Sequence, residues 1–147
     1  MTTAPNTVIT SQGTKLGIGA TPTWVANLTS IDGLDVKVNT IDTTTLDNTN
    51  GYKTFVSGFK EVSDVSISGF LDTSNDQQFW TAINSEGTQA PQQFTIQFPA
   101  VGGQVTGTAW TFTGLVNGFK TKAGIDSIVS FDATLKVIGA PTLTFGE

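Results

Sequence analysis

Histidine, cysteine and arginine are all missing from these 147 residues. Without Cys and His there is no thiolate or imidazole for catalysis, no Cys/His zinc site and no disulfide. Without Arg there is no bidentate clamp for phosphate or carboxylate. Charge is scarce as well: 13% of residues are charged, and seven lysines face twelve acids for a formal net charge of -5. An acidic chain without a basic patch makes a poor nucleic-acid binder, because attraction to phosphate dominates that affinity. No apolar run approaches the roughly 20 residues that cross a bilayer, so no membrane-spanning segment is expected. Met1 to Ile9 lacks the basic start and apolar stretch of a signal peptide. The lack of Cys leaves the compartment open.

What the chain does hold is sixteen Gly, ten Phe and many Thr, Val and Ile. That mixture favours strands joined by tight turns. At this length one domain can bury about two thirds of its unfolded surface. The expected fold is mainly β: two packed antiparallel sheets, as a β-sandwich or partial barrel, with one short flanking α-helix.

Hydrophobic periodicity divides the chain. Residues 1–33, broken by Gly17, Gly19 and Pro22, read as an N-terminal arm with short strands near Lys15–Ile18 and Trp24–Leu28, and a turn at Asp32-Gly33. The main β-domain follows over 34–139, with a tail over 140–147. Leu34, Val36 and Val38 alternate with polar residues as in a half-buried strand. Residues 40–58 then read as a long polar loop closing on an Asn50-Gly51 turn signal, with a solvent-facing hairpin as the other reading. Ile41, Leu46, Tyr52 and Phe55 favour the loop, since a purely solvated connection has little use for that apolar area. Val65, Ile67 and Gly69 open a clean strand. The one helix lies within Asp72 to Gly87, at about 75–85, with Ser74 and Gln77 as a capping box and Phe79, Ala82 and Ile83 packing one face. Strands resume at Phe94–Phe98, about Thr106–Val116, and Ser127–Ile138, where Gly139 is expected to stop the last one. Phe55-Val-Ser-Gly-Phe-Lys60 and Leu115-Val-Asn-Gly-Phe-Lys120 echo each other, which suggests two related hairpins.

Little chemistry is on offer. Asp72 and Asp76 sit where a helix start explains them better than a catalytic pair does. Asp32 with Asp35, and Asp42 with Asp47, lack the spacing and distal Glu of a calcium loop. Gly17-Ile-Gly19 lacks the rest of a phosphate loop. No catalytic residue, cofactor site or metal site is expected, and the chain is not read as an enzyme. Long Thr-rich strands with few charged gatekeepers leave open sheet edges, which a protein must cover or use.

Asp42-Thr-Thr-Thr-Leu-Asp-Asn-Thr-Asn-Gly-Tyr-Lys-Thr-Phe-Val-Ser-Gly-Phe-Lys60, then Asp64-Val-Ser-Ile-Ser-Gly69 with Asp72, resembles the central signature of the tail tube (major tail) proteins of long-tailed bacteriophages. Val129-Ser-Phe-Asp-Ala-Thr-Leu-Lys-Val-Ile-Gly139 is similar to that family's last strand. The likeness runs from about Gly33 to Gly139 and lies in the order of the elements. It implies a structural virion protein of the phage tail, assembled in the host bacterial cytoplasm into hexameric rings that stack into a tube. A tape-measure protein would occupy the lumen during assembly, tail-tip and tail-terminator proteins would close the ends, and DNA would pass through without tight binding. Four strands from each of six subunits would form a closed inner barrel of about 24 strands, with a channel of roughly 35 Å.

By that resemblance the 40–58 loop reaches the next ring, with Asp42, Leu46, Tyr52 and Phe55 as its contacts. Asp64, Ser66, Ser68, Asp132 and Thr134 are the lumen candidates, with Lys136 the neighbour that fits least well. An alternative remains open: a surface or virion β-sandwich module that binds glycan or receptor through an aromatic platform such as Trp24 or Trp80.

Overall fold

The computed structural model describes residues 8–73, 77–85 and 87–147. Nine strands and one helix follow in order: β1 (Lys15–Ile18), β2 (Thr23–Trp24), β3 (Leu28–Asp32), β4 (Val36–Asp42), β5 (Phe55–Val62), β6 (Val65–Phe70), α1 (Gln77–Ile83), β7 (Gln92–Gln97), β8 (Ala109–Lys122) and β9 (Ser130–Thr144). Seven strands form one antiparallel sheet in the order β2-β1-β7-β8-β9-β6-β3, and β4 pairs only with β5. The mainly β architecture with a single short helix is as expected. The sheet takes in β1–β3 from the N-terminal segment and residues 140–144 from the C-terminal end, so a single sheet runs across both ends of 34–139.

Alternation sets the core. Val65, Ile67 and Gly69 of β6 and Phe131, Ala133, Leu135 and Val137 of β9 all turn inward, with Ile67 paired to Ala133 and Gly69 to Phe131. Leu16, Ile18, Phe94, Ile96, Phe112 and Val116 complete the floor of the core. The helix is only seven residues long, too short to hold by propensity, and it is kept in place by packing. Phe79 is fully buried, with ring centroids 5.8 Å from Phe131 and 6.3 Å from Phe119, while Ala82 is buried and Ile83 packs at the margin. Fully burying a Phe side chain stabilises by about 1.5–3 kcal/mol, which is what ties this helix to β8 and β9. The helix ends at Ile83, short of 85, while the start expected near 75 and the capping box of Ser74 with the Gln77 side chain lie outside the described residues, as does Asp76. Asp72 is tied to the β2–β3 connection, where the Asn27 Nδ2 donates to its carboxylate at 2.9 Å.

Three readings of the sequence need correction. Gly139 does not end β9. It adopts φ 74°, and Gly139, Ala140 and Pro141 together face Phe112 of β8 as a bulge, after which Thr142–Thr144 pair again with β8. A glycine in left-handed backbone followed by a proline with no N–H to donate suits a bulge as well as a stop, and only the pairing partner separates the two. β8 likewise continues past Val116 to Lys122. Finally, the loop is shorter than 40–58: β4 runs to Asp42 and β5 begins at Phe55, so the connection outside strands is 43–54 and the segment is the end of a solvent-facing hairpin, the other reading of the sequence. Thr-rich sequence is as compatible with an exposed ribbon as with a loop, since no burial pattern marks it.

The echoed runs sit on β5 and β8, and each carries a bulge beside its glycine. Gly58 and Phe59 together face Asn39, and Asn117 is the extra residue between Val116 and Gly118. Gln89 secures the second bulge, as its side-chain amide donates to the Val116 carbonyl at 3.0 Å and accepts the Val116 N–H at 2.8 Å.

Candidate assembly interface

The β4–β5 hairpin is an arm that the rest of the chain leaves uncovered. Every residue of β4 is exposed, and β5 is exposed except at Gly58 and Val62, where it is half-buried. Yet the arm carries apolar side chains on both faces. Val36 pairs with Val62 and Val38 with Lys60 on one face, and Ile41 with Val56 on the other. A two-stranded ribbon is marginal alone in water, and strands apolar on both faces are those that other layers cover. The Leu34–Val38 alternation therefore does not describe a strand half-buried in its own subunit. Leu34 is buried in a left-handed turn at φ 60°, whereas Val36 and Val38 lie open.

The tip, residues 43–54, is ordered by its own side chains. The Thr43 N–H donates to the Thr54 carbonyl at 2.8 Å, and the Thr54 N–H donates back to the Thr44 hydroxyl at 2.8 Å. Asp42 accepts the Thr44 N–H at 2.9 Å, Asn48 accepts the Asn50 N–H at 3.0 Å, and Asn50 accepts the Tyr52 N–H at 2.9 Å. Thr45 donates to Asp47, and the Asn48 amide donates to the Tyr52 carbonyl. Asp, Asn and Thr side chains replace the missing ladder bonds here, which is why the tip needs no core. Hydrogen bonds from the Thr44 hydroxyl, and then from its N–H, hold the Asp42 carboxyl below its ordinary value of 3.8.

The four expected contact residues lie on this one arm. Asp42 and Phe55 pair directly across its end, Leu46 stands at the tip with its side chain fully in solvent, and Tyr52 follows on the return. Sequence reading passed over Phe59. It is 90% exposed, whereas Phe119, its counterpart in the echoed run, stacks 5.9 Å from Phe131 and packs against the core. Nothing in the echoed runs marks the difference, because it depends on which distant residues lie opposite each aromatic. Lys60 and Val56 were missed for the same reason.

The lumen candidates also fall together. Ser66 faces Thr134 and Ser68 faces Asp132 across the β6–β9 pair, on the side opposite Val65, Ile67 and Phe131. The Ser68 hydroxyl donates to Asp132 at 2.6 Å, and Asp64 pairs with Lys136 at 3.1 Å. Lys136, the misfit of the sequence reading, is thus neutralised in place. Lys120 stands opposite Asp132 on the next strand.

Among the described residues, no three His, Cys, Asp or Glu side chains converge as a metal site would require. Nor, among those residues, is any helix long and apolar enough to cross a membrane. Of the two aromatic platforms considered, Trp24 has the Lys15 ammonium over its ring at 5.2 Å, and Trp80 of α1 is exposed.

No protein-family model and no curated protein matches the sequence. Solved structures do. The chain is similar to one in the tube-terminating cap of the anti-feeding prophage, at TM-score 0.77 and 16% identity, covering 99% of this chain and 96% of that one. It is similar to a chain of the sheath–tube complex of an extracellular contractile injection system, at TM-score 0.76 and 15% identity, covering 97% and 95%. It is also similar to the SPP1 tail tube, at TM-score 0.65 and 14% identity, covering 95% and 80%. At such identities the likeness is one of fold, and the fold is the one found in tail-tube and related tube components.

Proposed function

We propose that this chain is the repeating subunit of a tail-type tube: a structural virion protein that forms hexameric rings, which stack into a conduit for DNA. The observation that carries the reading is the β4–β5 arm, exposed along its length yet bearing apolar side chains on both faces. Such an arm is stable when neighbouring copies cover it. The fold likeness to tube components supports the same reading.

In this reading the arm bridges rings through Asp42, Leu46, Tyr52 and Phe55. The polar β6–β9 face, with Asp64, Ser66, Ser68, Asp132 and Thr134, lines the channel. A face on which Lys136 is held by Asp64 and which carries no Arg offers phosphate few donors, which suits passage of DNA without adhesion. A tape-measure protein would occupy the channel during assembly in the host cytoplasm, and tip and terminator proteins would close the ends.

Negative-stain microscopy of the purified chain across a concentration series tests this. Six-fold rings or tubes are the expected result. Discrete particles at every concentration, with sugar bound at an aromatic surface, would instead favour a glycan- or receptor-binding module.

A further inference from the structure

We propose that the tip of the arm is a knob, Leu46 flanked by Asp47, which seats in an apolar groove at the base of the same arm on the next copy. The inference rests on the tube reading and names the contact by which one ring would hold the next.

The groove lies between the hairpin base and the second half of β9 and has a volume of about 630 Å³. Val36 and Val62 form one wall, Trp110, Pro141 and Leu143 the other, and Lys60 stands at the rim. The β9 bulge makes it, because Gly139–Pro141 swing the strand out of the ladder before it rejoins β8. Leu46, at the opposite end of the arm, is the most exposed large apolar side chain described. Asp47 beside it is opposite in sign to Lys60, so charge favours the same seating. The knob is also preorganised: the side-chain hydrogen bonds around Thr44, Asn48 and Asn50 fix the tip in the free subunit, which lowers the ordering cost of docking.

Knob and groove cannot meet within one chain. The seven residues of β4 separate them by about 23 Å, and the tip adds roughly 10 Å. They meet between copies displaced along the arm by that length. The contact is head-to-tail, and each copy keeps one free knob and one free groove, so the operation repeats without closing.

The chain has no cysteine, so an introduced pair reports alone. Leu46→Cys with Val36→Cys cannot bridge within a subunit, because a disulfide needs Cα atoms within about 7 Å. Oxidised under assembly conditions, the double variant is expected to give a ladder of covalent dimers, trimers and longer species. Leu46→Asp is expected to raise the concentration needed for assembly roughly 10- to 100-fold with unchanged far-UV circular dichroism. Asp47→Lys and Lys60→Asp are each expected to weaken assembly, and their combination to restore it. Rings or tubes without a ladder, normal assembly of Leu46→Asp, or dimers from Leu46→Cys alone would overturn the contact and leave the tube reading standing. Failure of the unaltered chain to assemble at any concentration would remove both.

Discussion

Asp42 shows how much one residue settles at the arm's end. Its carboxylate caps Thr44, and because that hydrogen bonding lowers its pKa, the contribution is present above pH 3.8 and is lost as pH falls through the lowered value. The Thr44 amide resonance is therefore expected to titrate with a midpoint below 3.8, and a midpoint at or above 3.8 would show the cap to be absent in solution. Gly33 governs the other end. At φ 117° it turns β3 toward β4, and a Cβ there would lie 2.3 Å from the Asp64 carbonyl oxygen. Gly33→Ala is accordingly expected to cost about 2–4 kcal/mol in urea unfolding, from backbone strain and the clash together. The Asp32-Gly33 turn was legible from composition, since Gly is the residue that takes such a φ at no steric cost. The left-handed Leu34 beside it was not, because a residue with a Cβ enters that region only when tertiary contacts hold it there.

At the level of elements, the strands of the large sheet were legible wherever one face is buried and the other wet. β6 and β9 carry that alternation plainly, as does the helix stripe of Phe79, Ala82 and Ile83. Boundaries failed where a bulge intervened, because Gly139 and Pro141 read identically as terminators and as bulge residues. The arm was left open between a loop and a solvent-facing hairpin for a different reason. Its register is set by cross-strand hydrogen bonds and a self-capped tip, and neither leaves a periodic signature in Thr, Asn and Asp. Since the tip holds no core residue, replacing Thr43–Asn50 with a short turn is expected to leave a folded subunit, with near-native circular dichroism and unfolding midpoint, that no longer stacks. Tubes of normal length from that variant, seen by electron microscopy, would remove the arm from ring-to-ring contact.

The whole molecule is best described as a sheet with its own core and an arm without one. Stability should follow that division. In the free subunit the β4–β5 amides are expected to exchange with solvent orders of magnitude faster than those of β6 and β9, because only the latter sit over buried side chains. On assembly the arm's amides are expected to become protected while the core changes little. Hydrogen exchange on both forms checks this, and equal protection of arm and core in the monomer would mean that the arm is already covered.

The sequence alone determined the class of fold, the inward residues of the strong strands, the helix face and the lack of thiol, imidazole and guanidinium chemistry. Each of these depends on composition or on local periodicity. Only the tertiary structure decided that 40–58 is the end of a paired arm with its loop confined to 43–54, that β9 passes through Gly139, that Lys136 is paired with Asp64, and that Phe59 is left bare while Phe119 is packed. These depend on which distant residues lie opposite one another. A bulge, an ion pair and an exposed aromatic are properties of a partner's position, and no stretch of chain carries its partner's position within itself.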